Sequence, residues 1–347
     1  MNRQQRLTVL FLAVSALTLS FTATAKKGTK STAEEKEIAG SVHPVLWSDP
    51  VDIRTRNLFY GPGGEKHAPH TTYTFEKEDM EGTSPKFTVN DENEVKWKVK
   101  MGHEVHSETV ASRLVWAVGY STNEDYFLPE LHAEGMPQHL RRGQQFIDPQ
   151  GTAHNVRLKR YLNDEKKVDL WKWSDNPFSS TKELNGLRVM MALINNWDLK
   201  DVNNSIYYKK HAEGVDGPEN IYMISDLGAS FGTTGVSWKR GSADGILHYY
   251  STSKLLGKVT PESVSFAIPS RPLLPDVFDP QDFFMRMHMR WIGRNIPRND
   301  VRWIAQILAQ LSPEQIRDAF RAAGYKPDEV EGFSKVVEGR ISLLSKL

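Results

Sequence analysis

Two short stretches hold the residue types that phosphoryl transfer requires. Asp198, Lys200 and Asn203 stand in a D-x-K-x-x-N spacing, and Asp226-Leu227-Gly228 closes a later apolar run that begins at Ile221. In that chemistry one carboxylate orients the attacking hydroxyl and a cation steadies the moving phosphoryl group. An amide and a second carboxylate hold Mg²⁺. Each residue alone has a plainer reading: Asp198 as a loop carboxylate capping nearby N–H groups, Asn203 as a turn residue, Asp226 as the turn after a strand. The order of elements gives the set its weight: helix, loop, strand, connection, strand, aspartate, glycine.

Those stretches need elements to position them. The pattern of Leu184, Leu187, Met191 and Ile194 predicts a helix opened by a capping box, Ser180 with Glu183, that delivers Asn195-Asn196-Trp197-Asp198 into the loop. Upstream, Val95 to Lys100 alternates as a strand, with Val95, Trp97 and Val99 on one face and Lys96, Lys98 and Lys100 on the other. Glu104 to Val118 reads as a helix with Ala111, Leu114, Val115 and Val118 as its apolar stripe and Gly119 as its stop. Glu108 shares that stripe's face. A carboxylate turned toward a core needs a cation, and Lys100 on the preceding strand is the natural partner; the alternatives are a solvated lysine face and a glutamate at the stripe's edge. Strands are also expected at Thr71–Glu76, 86–90, 156–162 and 168–173, and helices at 283–292, 300–311, from Ser312-Pro313 to Gly324, and from Pro327.

Asp198-Leu199-Lys200-x-x-Asn203 resembles the catalytic loop of protein kinases, and Asp226-Leu227-Gly228 resembles their metal-binding D-F-G. Gly82-Thr-Ser84-Pro-Lys86 resembles the phosphate-binding turn of HipA-type kinases; its plainer reading is a hairpin turn. Asn203-Asn204-Ser-Ile-Tyr-Tyr, followed by Asp226 and Phe231-Gly232, is similar to spore-coat CotH-type kinases. The resemblance implies an α+β, two-lobed kinase-like fold, with a small antiparallel β-lobe carrying one helix and a larger, mainly helical lobe. It implies roles for Asp198 and Lys200 in catalysis. Asn203 and Asp226 would hold the metal, and Gly82, Ser84, Lys86, Lys100 and Glu108 would bind nucleotide, with Lys98 as the fallback for Lys100. ATP or another nucleotide and Mg²⁺ would be the cofactors. Asn196 and Trp197 stand where those kinases carry histidine and arginine, so control through a phosphorylated segment is not implied. Asp198 and Asp226 are also 28 residues apart, a wider gap than in ordinary protein kinases.

Composition bounds the rest. The 347 residues are 39% hydrophobic and 25% charged, enough for one large core or two lobes. Residues 1–25 read as a signal peptide, with Arg3 and Arg6, an apolar run from Leu7 to Phe21 and Ala23-Thr24-Ala25 as the cleavage site; the apolar run is short for a bilayer span of ~20 residues. Its removal takes two arginines and no acid, leaving 42 Lys+Arg against 43 Asp+Glu, a balance with no footprint for nucleic acid. With no cysteine, disulfides and thiolate chemistry are excluded. The expected organisation is a signal (1–25), a polar leader and linker (26–57), a small lobe (58–128), and a crossing segment with the large lobe (129–347). Glycines of Tyr60-Gly61-Pro-Gly-Gly64 mark a turn or a phosphate loop. His103-Glu-Val-His106 falls one residue short of the H-E-x-x-H zinc spacing. The functional expectation is an exported, periplasmic or extracellular kinase-like phosphotransferase acting on an unknown protein or small-molecule hydroxyl. The alternatives are an exported pseudokinase that binds without turnover, and an envelope structural protein.

Overall fold

Period-2 alternation builds the first layer. In this computed structural model, β2 (Tyr73–Asp79), β3 (Lys86–Asp91), β4 (Lys96–Met101), β5 (Asp125–His132) and β6 (Thr152–Arg160) form one antiparallel sheet in the order β2-β3-β4-β6-β5. The structure describes residues 33, 37, 42–196, 198–210, 217–232, 245–267 and 288–347. The expected signal, most of the polar leader, Gly235 and Gly241, the proline-rich stretch 269–280 and the start of the helix expected at 283–292 lie outside the described residues. So do Trp197 and residues 211–216. No described helix is long and apolar enough to cross a membrane.

One face of this sheet is apolar: Phe87, Val89, Trp97, Val99, Tyr126, Leu131 and Leu158 pack with Ala133 and Leu140 from the connection after β5. The other face is charged. Lys86, Lys100 and Arg157 lie side by side across β3, β4 and β6, and Lys98 and Lys159 form the next row. Helix α1 (Glu104–Ala117) covers the Lys100 end of that face and is apolar on its far side, where Val110, Leu114 and Val115 join the larger core. Gly119 ends α1 at φ +101°, and a Cβ there would sit 2.2 Å from the Ser48 carbonyl oxygen, so glycine is required by both conformation and space.

Strand β5 spans the boundary expected at residue 128 between the small lobe and the crossing segment. Pro129 argues against a strand interior, but among the described residues β5 is a sheet edge paired with β6, and an edge strand tolerates a residue without an N–H. The sheet therefore runs on to Arg160, past residue 128.

Beyond it, β7 (Glu165–Asp169), β8 (Asn204–Lys209) and β9 (Glu219–Ile224) form a second sheet with β1 (His43–Val45), which adds parallel to β9. Helix α2 (Lys182–Leu193) precedes β8. Its cap is Thr181, whose hydroxyl accepts from Leu184 N at 3.2 Å; the expected cap, Ser180, sits at φ +69° one position too early. Helices α3 (Leu247–Thr252), α4 (Arg298–Leu308), α5 (Pro313–Arg321) and α6 (Pro327–Ser345) complete the larger core around Met190, Met191, Ile304, Phe320 and Phe333. Ser312 and Gln315 form a full capping box on α5. The described residues thus form two apolar clusters, one within the five-stranded sheet and a larger one that is mainly helical.

Candidate active site

Lys100 is the last lysine of β4 and the most enclosed, 4% exposed. Its ammonium lies 2.8 Å from Glu108 Oε2, 2.7 Å from Glu104 Oε2 and 3.6 Å from Asp226 Oδ1. Lys98, two residues earlier on the same face, pairs with Asp79 at 2.8 Å, and Lys96 pairs with Glu76. Of the alternating lysines, Lys100 is the one that meets Glu108. Burial pushes its ammonium toward neutrality, but Glu104, Glu108 and Asp226 together outweigh this and hold it protonated, well above the ordinary lysine value.

A second ion pair supports the first. Arg157 on β6 donates to Asp125 on β5 at 2.6 Å and lies 3.3 Å from Glu108 Oε1; Ser112 of α1 donates to Asp125 Oδ2. Glu108 is thus held between Lys100 and Arg157, the opposite charges that a buried carboxylate needs.

The turn between β2 and β3 approaches the same place. Ser84 Oγ lies 3.4 Å from Glu104 Oε2, and Lys86 sits beside Lys100 in the strand register. Burial first, and then the neighbouring ammoniums, lower Lys86 to about 8, against the pull of Asp79 and Asp226. Gly82 sits at φ +67°, and Arg142 holds the turn through the carbonyls of Met80 and Thr83. The other glycine loop packs elsewhere. Gly61 lies against the Arg113 side chain, and the Gly64 carbonyl accepts from Tyr126, so this loop is a structural turn at the flank of α1.

The D-x-K-x-x-N residues form a neighbouring group. Lys200 lies 3.3 Å from Asp198 Oδ1, and Asn203 donates through Nδ2 to the Asp198 carbonyl at 2.8 Å. The two groups are stitched by backbone. Ser225, the residue before Asp226, donates its N–H to Asn203 O at 2.8 Å. Phe231 N donates to Ile194 O at 2.8 Å, Asp198 N donates to Asn196 Oδ1, and Asn196 donates to Ser230 Oγ. Ser107 of α1 donates to the Gly228 carbonyl at 2.6 Å, tying the Asp-Leu-Gly segment to the helix that carries Glu104 and Glu108. The loop after α2 and the loop after β9 are therefore one hydrogen-bonded unit. Arg340 of α6 braces it from below, donating to the carbonyls of Leu193 (2.9 Å) and Tyr250 (3.1 Å) and to Ser253 Oγ, which also accepts from Asn195.

Asn203 Oδ1 suits a cation. It is buried and accepts no hydrogen bond among the described residues. A buried acceptor left without a donor is costly unless something else engages it. No group of three or more His, Cys, Asp or Glu is placed to hold a metal among the described residues. An ion here would draw on amide and carboxylate oxygens and on its ligand's own oxygens, the donor set of Mg²⁺ or Mn²⁺. Sequence reasoning missed Glu104, Asp125 and Arg157. Glu104 stands one helical turn before Glu108, a spacing that puts both on one face. Asp125 and Arg157 meet only through the β5·β6 pairing.

No family model matches the chain, and no curated protein matches it. Solved structures do, kinases among them. A Helicobacter pylori proinflammatory kinase, CtkA, is 11% identical, with 80% of this chain and 97% of that chain covered and a TM-score of 0.43. The Golgi casein kinase with Mn/ADP bound is 10% identical over 79% of this chain and 74% of that one, with a TM-score of 0.36. A second structure of the Golgi casein kinase gives 9%, 78% and 74%, with a TM-score of 0.31. Likenesses this distant say nothing of what this chain binds or does.

Proposed function

We propose that this protein is an exported kinase-like phosphotransferase that moves the γ-phosphoryl of a Mg-nucleotide, ATP or another, to a hydroxyl acceptor. The observation that supports it best is the bridge from Lys100 to Asp226: one buried ammonium joins the sheet, α1 and the Asp-Leu-Gly segment, and Ser225 ties that segment to Asn203. In this reading Lys100, placed by Glu108 and Glu104, binds the α/β-phosphates, with the Gly82–Lys86 turn beside them. Asp198 accepts the proton of the attacking hydroxyl, and Lys200 neutralises charge on the moving phosphoryl group. Asn203 and Asp226 would hold Mg²⁺, which when bound supplies charge neutralisation at the phosphate oxygens.

A thermal-shift titration tests the binding step, because a ligand that binds only the folded state raises the melting temperature by mass action. Mg-ATP should raise it, and Asp226→Ala should remove the rise while the protein without nucleotide melts cooperatively. Transfer of labelled γ-phosphate, lost in Asp198→Ala, tests the chemistry. A shift without transfer selects the second reading, an exported binding module without turnover. Glu104 favours that reading, because it sets a second carboxylate at 2.7 Å on the ammonium that phosphates would need. Absence of any shift with nucleotide in the wild type would overturn both.

A further inference from the structure

Away from the Lys100 cluster, a cavity of about 550 Å³ opens where β4 hands over to α1. That size is ordinary for a small-ligand site. Its walls come from five separate places: the start of α1, the Gln145–Asp148 segment, the start of β6, Gly245-Ile246, and Tyr325 after α5. Nothing in the phosphoryl-transfer reading uses it.

The lining is neutral in balance. Its carboxylate, Asp148, is saturated by its own turn: Oδ1 accepts from Gln150 N and Thr152 N, and Oδ2 pairs with His154 Nε2 at 2.9 Å. His106 Nδ1 donates to the Ala323 carbonyl at 2.6 Å, which fixes its tautomer and leaves Nε2 as an acceptor, whereas His154 faces carboxylates on both ring nitrogens, Asp148 at 2.9 Å and Glu130 at 3.7 Å. His103, Gln145 and Asn155 add groups that both donate and accept. A ligand matched to this wall is uncharged and carries several hydroxyls.

The ring geometry narrows the class. His103 and Phe146 meet at 80° between planes, and His106 and Tyr325 at 53°. Neither pair is the parallel slot that a flat heterocycle stacks into. Tilted ring faces instead suit a puckered ring that presents C–H bonds in several directions. Gly245 leaves room at the Tyr325 hydroxyl, since a Cβ there would lie 2.5 Å from it.

We propose that this cavity is a carbohydrate site that takes the pyranose ring of a neutral sugar. Saturation-transfer NMR on the full exported chain, with methyl glucoside, methyl galactoside and methyl N-acetylglucosaminide as probes, tests it. Ring-proton signals are expected from at least one glycoside and should fall at least fivefold in His106→Leu. Gln145 is exposed, so Gln145→Trp fills the cavity mouth without touching the core and should do the same if His106→Leu misfolds. No transfer from any glycoside, or transfer undiminished in Gln145→Trp, overturns the proposal. Signals from adenine or nicotinamide but not from the glycosides would also overturn it, in favour of a flat heterocycle. Mg-ATP thermal shifts run on the same variants report the phosphate site separately.

Discussion

Lys98 and Lys100 share one face of one strand, yet their removal should cost very different amounts. Lys98→Met breaks a partly exposed pair with Asp79 and should cost under about 1 kcal/mol. Lys100→Met leaves Glu104, Glu108 and Asp226 facing one another without the ammonium that all three share, and should cost about 3–5 kcal/mol. Urea midpoints measured on the two variants check the contrast, and equal losses would deny Lys100 its place at the centre of the layer. Lys86 makes a pH prediction. Its folded value is lowered to about 8, so above that pH the native chain has released a proton that the unfolded chain keeps until about 10.4. Stability contributed by this group therefore rises with pH between those values. The difference between wild type and Lys86→Met, followed by denaturation from pH 7 to pH 10, should show that rise and should be flat below pH 7.

At the scale of elements, the α5 cap is the cleanest local test. Ser312 accepts from Gln315 N, and Gln315 reaches back to Ser312 N and on to the carbonyls of Ile53 and Arg56. Ser312→Ala should cost about 1 kcal/mol, seen as a lower urea midpoint with an unchanged slope. This cap was legible in sequence, as were β3, β4 and α1, because strict alternation and a 3.6-residue stripe are local signals. The strand β5 was not, because Pro129 speaks against a strand until the edge position is known. The α2 cap was misplaced by one residue because Ser180 and Thr181 are both good caps, and only backbone conformation chooses between them. Within the site, the Lys100–Glu108 pair could be read because a buried carboxylate demands a cation, although Glu108 faces the charged side of the sheet and not the apolar side of α1. The Arg157–Asp125 support could not, because it depends on a pairing between strands separated by a long connection.

For the whole molecule, the pieces of the candidate site come from distant parts of the chain and are joined by backbone hydrogen bonds, by Ser107, Asn196 and Arg340, and by the Lys100–Asp226 pair. Arg340→Met should show this. It removes a buried guanidinium that satisfies the Leu193 and Tyr250 carbonyls, so the amides of Asn195 and Asn196 should exchange hydrogen faster even at temperatures where the fold persists. Unchanged exchange at those amides would show that the loop stands without α6. The same bond bears on how the protein is made. Leu193 and Arg340 are 147 residues apart, so at ordinary translation speeds the segment with Asp198 leaves the ribosome about 7–30 s before its brace exists. During that interval the nascent chain has the letters of its Asp198–Asn203 loop but no means to keep their shape, and the brace arrives only once α6 has docked.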